Sequence, residues 1–422
     1  MLTTWQKGIP KQTFSTLQES ISSDVVIVGG GIAGISTAYF LSLAGKKVVV
    51  LEKNSIDKSV TALTTAFLTA DIDTDPSDLC TIFGKRAARA IWKSGAHAIR
   101  TIEHIARAER ISCDFSWTPV YFFATGEKGY DRLRVEADYI DAFGFQIQDL
   151  GNSVLPFKHS GAYILKSQAK FHPLLYLFGL RQAAKARGVL FFEHTKALAF
   201  SGDSKVTVIT KRGTVRADHL VMATYQPFKN PSRLFAKKGM YQSYVIEIAV
   251  PTSMISEGLY MDDHNPYHYL RVDAGVKEDR ILLGGEDHRQ EIPVDPEKNY
   301  LALLQYFEEY FPHIPYRIVR KWNGPILESI DGLPFIGRYD TQFPNRYVAT
   351  AFSGNGMTYG TLSGEILSSL ILGKSHPYHI LYDPLRTHIT PSGILIKTRD
   401  YLEELFNGGA KNIFLKKRRK PK

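Results

Sequence analysis

The stretch DVVIVGGGIAGISTAYFLSLAGKKVVVLE, residues 24–52, decides the fold. An apolar run at residues 25–28 predicts a strand buried on both faces. Helical spacing over residues 33–44 follows, and Gly45 stands where a helix C′ residue takes a positive φ. A second apolar run at residues 47–51 predicts another buried strand. This order of strand, glycine turn, helix and strand is typical of a dinucleotide-binding βαβ unit.

The glycines of the turn each have a physical role. Gly29 permits the tight turn, Gly31 lets the backbone approach a pyrophosphate, and Gly34 lets the helix pack on the strand. The pyrophosphate then lies at the helix N-terminus, where free N–H groups and the dipole favour anions. Glu52 is placed to accept hydrogen bonds from a ribose, and its charge repels a 2′-phosphate, which argues against NADP. The turn alone does not separate NAD from FAD.

Composition places the chain among ordinary globular proteins. The 422 residues are 44% hydrophobic and 22% charged, which suggests two or three folding units. No run is long enough to span a membrane, and the N-terminus lacks the apolar core of a secretion signal. The cysteines, Cys80 and Cys113, cannot form a disulfide framework and lack metal-site spacing. We therefore expect a cytoplasmic protein without a metal site.

The net charge of +10 is partly local, because residues 416–422 carry six positive charges and no negative one. Such a run is typical of a solvated chain end. It could instead touch anionic lipid at a membrane surface, but no aromatic residue is interleaved as nucleic-acid binding would favour. Residues 392–414 have amphipathic helical spacing and could dock on the body, a partner or a membrane.

A second glycine-rich turn lies near the other end of the chain. Strands are predicted at residues 218–224 and 346–351, and the second leads into the turn FSGNGMT at 352–358. A helix follows to about residue 372. An apolar strand that closes on Ala-Thr, as residues 218–224 do, recurs in flavoproteins of this general plan.

These segments together carry a family resemblance. The chain resembles the D-amino-acid oxidase (DAO) superfamily of FAD-dependent oxidoreductases, nearest the branch that often bears a C-terminal Rieske domain. The residues that carry this resemblance are VGGGIAG (28–34), LTTAFLTA (63–70), FHP (171–173), YLR (269–271), GGEDH (284–288), DGLPFIG (331–337), FSGNGMTYG (352–360) and LYDPLR (381–386). The Rieske ligand pairs Cys-x-His and Cys-x-x-His are absent, so the electron acceptor is left open.

The resemblance implies which residues contact FAD. In the family the second glycine turn meets the isoalloxazine ring, and a helix N-terminus there stabilises charge on the reduced ring. No His or Cys lies in VTALTTAFLTA, so the FAD is expected to be non-covalent. The expected cofactor contacts are Gly29, Gly31, Ile32, Ala33, Gly34, Glu52, Lys53, Thr64, Thr65, Ala66, Lys196, Ala223, Thr224, Gly354, Asn355, Gly356, Met357 and Thr358.

The expected fold class is α/β, with a Rossmann-like FAD-binding domain of the glutathione-reductase type and an interleaved substrate domain built on a mixed or antiparallel sheet. We assign residues 20–85, 150–235 and 326–375 to the FAD-binding domain. Residues 86–149 and 236–325 form the substrate domain. Residues 376–422 form a C-terminal extension with the basic tail.

Candidate substrate residues come from the second domain, where Tyr241, Tyr244, Tyr260, Tyr267, His268 and Tyr269 cluster. Arg271 shares a strand face with Tyr269 and could hold a substrate carboxylate with its guanidinium fork. It could instead pair with Asp273 or another acid. His288 could accept a proton from a substrate ammonium group, or be a hydrogen-bonded turn residue. The candidate catalytic residues are therefore Arg271, Tyr269 and His288.

The leading functional hypothesis is oxidation of a small amine or amino acid by hydride transfer to flavin N5. Hydrolysis of the imine would follow, with reoxidation of the flavin by oxygen or another acceptor. The alternative is an FAD-binding electron carrier or assembly subunit without its own small-molecule substrate. An NAD-dependent dehydrogenase is a third option. These residues predict neither the substrate nor the oligomeric state.

Overall fold

The computed structural model describes residues 2–9, 13–152, 155–227 and 238–386. The strands of this part of the chain are β1 (Ile21–Val28), β2 (Val48–Leu51), β3 (Phe67–Leu68), β4 (Ser116–Ala124), β5 (Ile147–Gly151), β6 (Gly161–Lys170), β7 (Leu190–Phe192), β8 (Ala199–Ser201), β9 (Val206–Ile209), β10 (Thr214–Met222), β11 (Lys238–Pro251), β12 (Gly258–Asp262), β13 (Tyr269–Asp273), β14 (Glu278–Arg289), β15 (Arg317–Ser329), β16 (Phe335–Arg338) and β17 (Arg346–Thr350).

The helices of the same ranges are α1 (Ile32–Leu43), α2 (Pro76–Phe83), α3 (Lys85–Ala108), α4 (Glu127–Ala142), α5 (Pro173–Ala186), α6 (Pro296–Tyr310), α7 (Gly356–Ile371) and α8 (His379–Tyr382), with short 3₁₀ turns at Thr4–Gln6, Ile56–Lys58 and Val60–Leu63. Several predicted ends are confirmed. Gly45 and Gly373 follow α1 and α7 with φ of 72° and 71°, as C′ glycines do. His172 caps α5 by accepting a hydrogen bond at Nδ1 from the Leu175 N–H, 3.2 Å away.

The first sheet has the order β16-β17-β10-β1-β2-β7, with β9 and β8 extending from β10. Strands β7, β2, β1, β10 and β17 run parallel, and β16 is antiparallel at the edge. Its central strands are apolar and buried on both faces, as the sequence predicts for β1 and β2. Helices α1, α5 and α7 share one apolar core with the sheet. A second apolar core includes residues of the β8–β9 hairpin and of the sheet. The Rossmann-like prediction is confirmed.

The second sheet has the order β15-β11-β14-β13-β12-β4-β6-β3, with β5 beside β6. Most of its neighbours are antiparallel, and β12 with β4 is a parallel pair. Helix α6 covers one face and completes a third apolar core. The chain crosses between the two sheets after β2, β6, β10 and β15, so the predicted interleaving is confirmed.

Two of the predicted domain segments need correction. Strand β3, within residues 20–85, and β6, within residues 150–235, pair in the second sheet and not in the first. Strand β6 is buried on both faces over much of its length. Its sequence therefore lacks the alternation that would mark a strand of a half-exposed sheet.

The segment around α8 also belongs to the body of the protein. Tyr382 is fully buried and its hydroxyl lies 2.6 Å from the Ser94 hydroxyl. Arg386 forms a buried ion pair with Asp331, so the extension predicted to start at residue 376 packs against the body at least through residue 386. The predicted amphipathic helix at 392–414 and the basic tail lie outside the described residues.

Within the described ranges no helix is both long and apolar enough to cross a membrane. Cys80 and Cys113 are both free. The cytoplasmic location stays a prediction.

Candidate functional site

The first glycine turn joins β1 to α1 and is fixed by its backbone. Gly29 has φ of 116°, a conformation that favours glycine, and its N–H donates to the Leu51 carbonyl at 2.8 Å. A Cβ on Gly29 would collide with the Ala223 carbonyl, which places Ala223 and Thr224 beside the turn. A Cβ on Gly34 would overlap the carbonyl oxygen of Gly29. Both glycines are therefore required by close approach of backbone.

Glu52 lies at the end of β2 and closes the turn. Its Oε2 accepts a hydrogen bond from the Gly30 N–H at 2.8 Å, and Oε1 accepts one from the Asn54 N–H at 2.9 Å. Two carboxylate oxygens can accept further bonds. The Thr195 N–H donates to the Glu52 carbonyl at 2.8 Å, which brings Lys196 to the same end of the site.

Residues 63–66, the start of the LTTAFLTA motif, are held by their carbonyl oxygens. Trp322 Nε1 donates to the Leu63 carbonyl at 2.9 Å, and Trp5 Nε1 donates to the Thr64 carbonyl at 2.6 Å. Arg271 Nη1 donates to the carbonyls of Thr65 and Ala66 at 3.1 and 3.2 Å. Ala66 has φ of 60°. Four consecutive carbonyls are thus bound by side chains from distant parts of the chain, which fixes the path of this segment.

The second glycine turn, before α7, is held by an acid. Asp73 Oδ2 accepts a hydrogen bond from the Gly354 N–H at 2.6 Å, and Oδ1 accepts one from Asn355 Nδ2 at 3.1 Å. Thr69 Oγ1 donates to Asn355 Oδ1 at 2.9 Å. Helix α7 begins at Gly356 without a side-chain cap, so its first N–H groups are available to an anion or a polarised ring edge.

One cavity of about 570 Å³ connects the two glycine turns. It extends from Glu52 to Asp73, a size typical of cofactor and small-molecule sites. The predicted cofactor contacts that border it are Gly29, Gly31, Ile32, Ala33, Glu52, Lys53, Thr64, Thr65, Lys196, Ala223, Thr224, Gly354, Asn355, Gly356 and Met357. Gly34, Ala66 and Thr358 do not border it; Gly34 acts in helix packing, as predicted, and Ala66 and Thr358 are fully buried behind the wall.

The predicted orientation of Arg271 toward the substrate is wrong. Arg271 is 4% exposed and does not border the cavity. Its Nε contacts both carboxylate oxygens of Asp273, its Nη1 also donates to the Phe171 carbonyl at 2.9 Å, and its guanidinium carbon lies 4.9 Å from the Trp5 ring centre. The sequence alternative, pairing with Asp273, is correct. Burial lowers the pKa of Arg271, with Asp273 opposing that shift.

Of the predicted aromatic cluster, Tyr267 and Tyr269 border the cavity. The Tyr269 hydroxyl lies 3.1 Å from the Ser243 hydroxyl, and the ring packs edge-on against Phe67. Tyr241, Tyr244, Tyr260 and His268 do not border the cavity.

The proposed proton-accepting role of His288 is not supported by its position. Its Nε2 lies 2.9 Å from the Tyr244 hydroxyl and its Nδ1 lies 2.9 Å from the Arg289 carbonyl. Both ring nitrogens are thus engaged away from the cavity, as in the alternative reading of a hydrogen-bonded residue.

Sequence reasoning missed the acids Asp71 and Asp73, which border the cavity. Along residues 67–73 the odd-numbered residues border the cavity, while Leu68, Ala70 and Ile72 are buried in the core. That alternation, continued past the LTTAFLTA motif, could have found both acids. Burial raises the pKa of Asp71, and burial followed by the charge of Asp71 raises that of Asp73.

Two groups of side chains in the described ranges have the spacing to hold a metal ion. They are His97 with Glu365 and His376, and Asp262 with His264 and His268. Neither group borders the cavity.

Comparison with known families identifies the chain. The family model for DAO, the FAD dependent oxidoreductases, matches residues 24–370. The chain belongs to this family, and the resemblance carried by the sequence motifs is confirmed.

Relatives and solved structures agree with this assignment. The Bacillus subtilis (strain 168) protein named putative Rieske 2Fe-2S iron-sulfur protein YhfW is 31% identical over 394 residues, covering 92% of this chain and 76% of that protein. The gamma-glutamylputrescine oxidoreductase of Escherichia coli (strain K12) is 26% identical over 381 residues, covering 86% and 87%. Glycine oxidase from Geobacillus kaustophilus has the same fold, with a TM-score of 0.75 at 18% identity, covering 86% and 99%. The chain is an FAD-dependent oxidoreductase of a family that acts on amines or amino acids.

The residues present fit FAD. The N-terminus of α1 faces the cavity beside Glu52, which suits a pyrophosphate and a ribose, and the N-terminus of α7 faces its other end. Gly356 has open space where a Cβ would be, so the backbone there can be approached closely. Among the described residues that border the cavity there is no His or Cys, in agreement with non-covalent FAD.

Proposed function

We propose that the chain oxidises a small amine or amino acid in the part of the cavity between the second glycine turn and the second sheet. The observation that carries this proposal is the continuity of one cavity. It joins the nucleotide end at Glu52 to a wall formed by Phe67, Tyr267 and Tyr269. An electron carrier needs a bound flavin, but it does not need enclosed space of this kind beyond the second glycine turn.

The chain's own groups act by position and electrostatics. The N-terminus of α1 binds the pyrophosphate, and Glu52 accepts hydrogen bonds from the ribose. The N-terminus of α7, held by Asp73, would stabilise negative charge on the ring of a bound flavin. Tyr267 and Tyr269 exclude water and orient the substrate.

Bound FAD supplies the acceptor for an electron pair, taken as hydride at N5 from the carbon next to nitrogen. Water hydrolyses the imine product, and oxygen or another acceptor takes the electrons from the cofactor. We assign cofactor binding to the first sheet with α1, α5 and α7, and substrate binding to the second sheet with β3 and β6 included.

The test is anaerobic reduction of the purified holoenzyme by a panel of amines and amino acids, followed in the visible flavin band. Bleaching by at least one member with saturable kinetics is the expected result. If no member bleaches the flavin while dithionite does, the oxidation proposal fails and the electron-carrier alternative is favoured. A protein that does not retain FAD would contradict both.

A further inference from the structure

Charge is distributed unevenly along the cavity. Among its described lining residues the basic ones are Lys53, Lys58 and Lys196. Lys53 follows Glu52, and Lys196 follows Thr195, which donates to the Glu52 carbonyl. Lys58 ends the 3₁₀ turn that begins at Ile56, whose side chain contacts the position of Gly30. All three lysines therefore lie at the nucleotide end.

The opposite end is acidic. Asp71 is 8% exposed and borders the cavity. Its carboxyl group accepts hydrogen bonds from the Thr69 hydroxyl and from the backbone of residues 71 and 73, and only its Oδ1 has no hydrogen-bond partner. Asp73 lies two residues on along the same side of the segment and uses its oxygens to hold the second glycine turn. Asp287 and Glu328 lie near enough for their charges to act on Asp73.

No described basic residue that borders the cavity lies at this end, because Arg271 is turned away and bound by Asp273. A carboxylate buried without a partner is costly, and the cost falls when a cation or a proton pairs with it. A cation that takes the place of a proton at this end must therefore come from a ligand.

We propose that Asp71 and Asp73 bind an ammonium group of the substrate, and that the substrate is an aliphatic amine without a carboxylate on the reacting carbon. This inference rests on the proposed amine oxidation and narrows it. The bound ammonium group gives one proton to the aspartate pair, and the hydride then leaves the carbon next to the neutral nitrogen. An ammonium group can donate charge-assisted hydrogen bonds to Asp71 Oδ1 and to the remaining lone pairs of Asp73. Phe67, Met261 and Tyr267 border the same cavity and accept the alkyl part.

An amino-acid carboxylate is disfavoured by the same charges. At this end it would face Asp71 and Asp73 without a cation to pair with, and wherever these acids are ionised its charge would repel theirs. A guanidinium partner is missing from the described lining. The site therefore discriminates amines from amino acids by repulsion as well as by attraction.

Binding is tested first, with ligands that have no hydrogen on the carbon next to nitrogen and so cannot be oxidised. The FAD-loaded enzyme is titrated with tert-butylammonium and with its isosteric anion trimethylacetate, and the flavin spectrum reports occupancy. We expect saturable perturbation by the cation and none by the anion at equal ionic strength. Preference for the anion would overturn the proposal.

The aspartates are tested by substitution. Asp71→Asn should weaken tert-butylammonium binding by at least about tenfold, because it removes the charge of the buried member of the pair. FAD content, measured as the ratio of flavin to protein absorbance, should stay at the wild-type level. Asp138→Asn, an exposed acid on α4, is the matched control and should bind like wild type. Unchanged affinity in Asp71→Asn would refute the assignment. Asp73→Asn is the second variant, in case Asp71→Asn does not fold.

Oxidation of a matched pair separates this inference from the proposed function. Butylamine and norvaline differ by the carboxylate on the reacting carbon, and both enantiomers of norvaline are used on the wild-type enzyme. We expect butylamine to reduce the flavin with an efficiency at least tenfold higher than that of either enantiomer of norvaline. Efficient reduction by norvaline would support amino-acid oxidation and overturn the ammonium site. Cation binding through Asp71 without reduction by any amine would uphold the site and refute the oxidation.

Discussion

Arg271 and Asp273 face each other at the end of β13, with Arg271 Nε 3.0 and 2.9 Å from the two carboxylate oxygens of Asp273. Lys170 Nζ also reaches Asp273, at 2.5 Å. The pair sits behind the cavity wall, and the remaining Arg271 donors reach the backbone of Thr65 and Ala66. Arg271 is therefore a positioning residue for the segment that borders the cavity.

Arg271→Ala should lower the free energy of unfolding by about 3 kcal/mol, because it removes one of the two cationic partners of Asp273 and the donor to three backbone carbonyls. Arg271→Lys should recover only part of this loss, since one ammonium group cannot replace the planar fork. Chemical denaturation of the holoprotein measures both. Arg216→Ala, on the exposed side of β10, is the control and should change stability by less than about 0.5 kcal/mol. A stable Arg271→Ala protein with a raised substrate KM would restore the carboxylate-binding hypothesis.

Gly34→Ala should abolish FAD retention. The new Cβ would overlap the Gly29 carbonyl, so α1 must move away from β1 and the turn that faces the pyrophosphate must open. The flavin-to-protein absorbance ratio after gel filtration is the measurement. Gly126→Ala, where a Cβ meets nothing within 4 Å, should retain the wild-type ratio. Full FAD content in Gly34→Ala would show that the turn tolerates the displacement.

Local patterns predicted the first sheet well. The segment from β1 to β2 spans about thirty residues. It contains the apolar periodicity, the glycine turn and the acid Glu52, so residues close together in sequence determine this part of the structure. The second glycine turn was predicted for the same reason, since β17 and α7 flank it directly. The βαβ unit indicated the Rossmann-like domain, and the family resemblance implied the two-domain fold class; the strand order was not predicted.

The side-chain directions in the second domain could not be predicted in this way. Tyr269 and Arg271 share a face of β13, as alternation requires, but Tyr269 borders the cavity and Arg271 does not. The difference is made by Asp273 and Trp5, which lie two and 266 residues from Arg271 along the chain and bind its guanidinium. The pairing with Asp273 was one of the alternatives that the sequence offered, whereas the contact with Trp5 joins residues so far apart that it leaves no local pattern.

Asp331 and Arg386 join the DGLPFIG and LYDPLR motifs by a buried ion pair, with contacts of 2.6 and 2.7 Å. Burial alone would raise the pKa of Asp331, but the charge and hydrogen bonds of Arg386 outweigh it and lower the pKa. Because the pKa of Asp331 is lower in the folded protein than in the unfolded chain, the pair stabilises the protein fully at pH values above the unfolded pKa. That contribution is lost as the pH falls through the folded pKa.

Arg386→Ala should therefore lower the free energy of unfolding at neutral pH by about 3–5 kcal/mol, since it strands a buried carboxylate. The loss should shrink as the pH falls below about 4, where Asp331 of the unfolded chain takes up a proton, and it should vanish below the lowered pKa of Asp331 in the folded protein. Denaturation midpoints across pH measure both effects. Asp331→Asn is the matched variant and should show the same trend. A loss that does not vary with pH would mean that packing, and not the ion pair, holds the segment.

The acidic end of the cavity makes cation binding depend on pH. Burial, followed by the charge of Asp71, raises the pKa of Asp73 from 3.8 to about 8, and burial raises that of Asp287 to about 6. Glu328 and the hydroxyl of Tyr267 face the same region. Below pH of about 8 the cation-free site therefore holds a proton that a bound cation must displace. The same raised pKa affects folding. The cation-free protein loses stability as the pH rises from the pKa of Asp73 in the unfolded chain to its higher pKa in the folded protein.

Tetramethylammonium, whose charge does not titrate, should accordingly bind the holoenzyme more tightly as the pH rises, and its affinity should level off above pH of about 8. Spectral titration of the flavin at a series of pH values gives the dissociation constants. In Asp73→Asn the dependence should flatten, because the group that exchanges the proton is gone, whereas Asp138→Asn should keep the wild-type profile. An affinity that falls with rising pH would contradict the exchange of a proton for the cation at these aspartates. Raising the pH removes the proton and leaves the site more negative, which must strengthen the binding of a cation whose own charge is fixed.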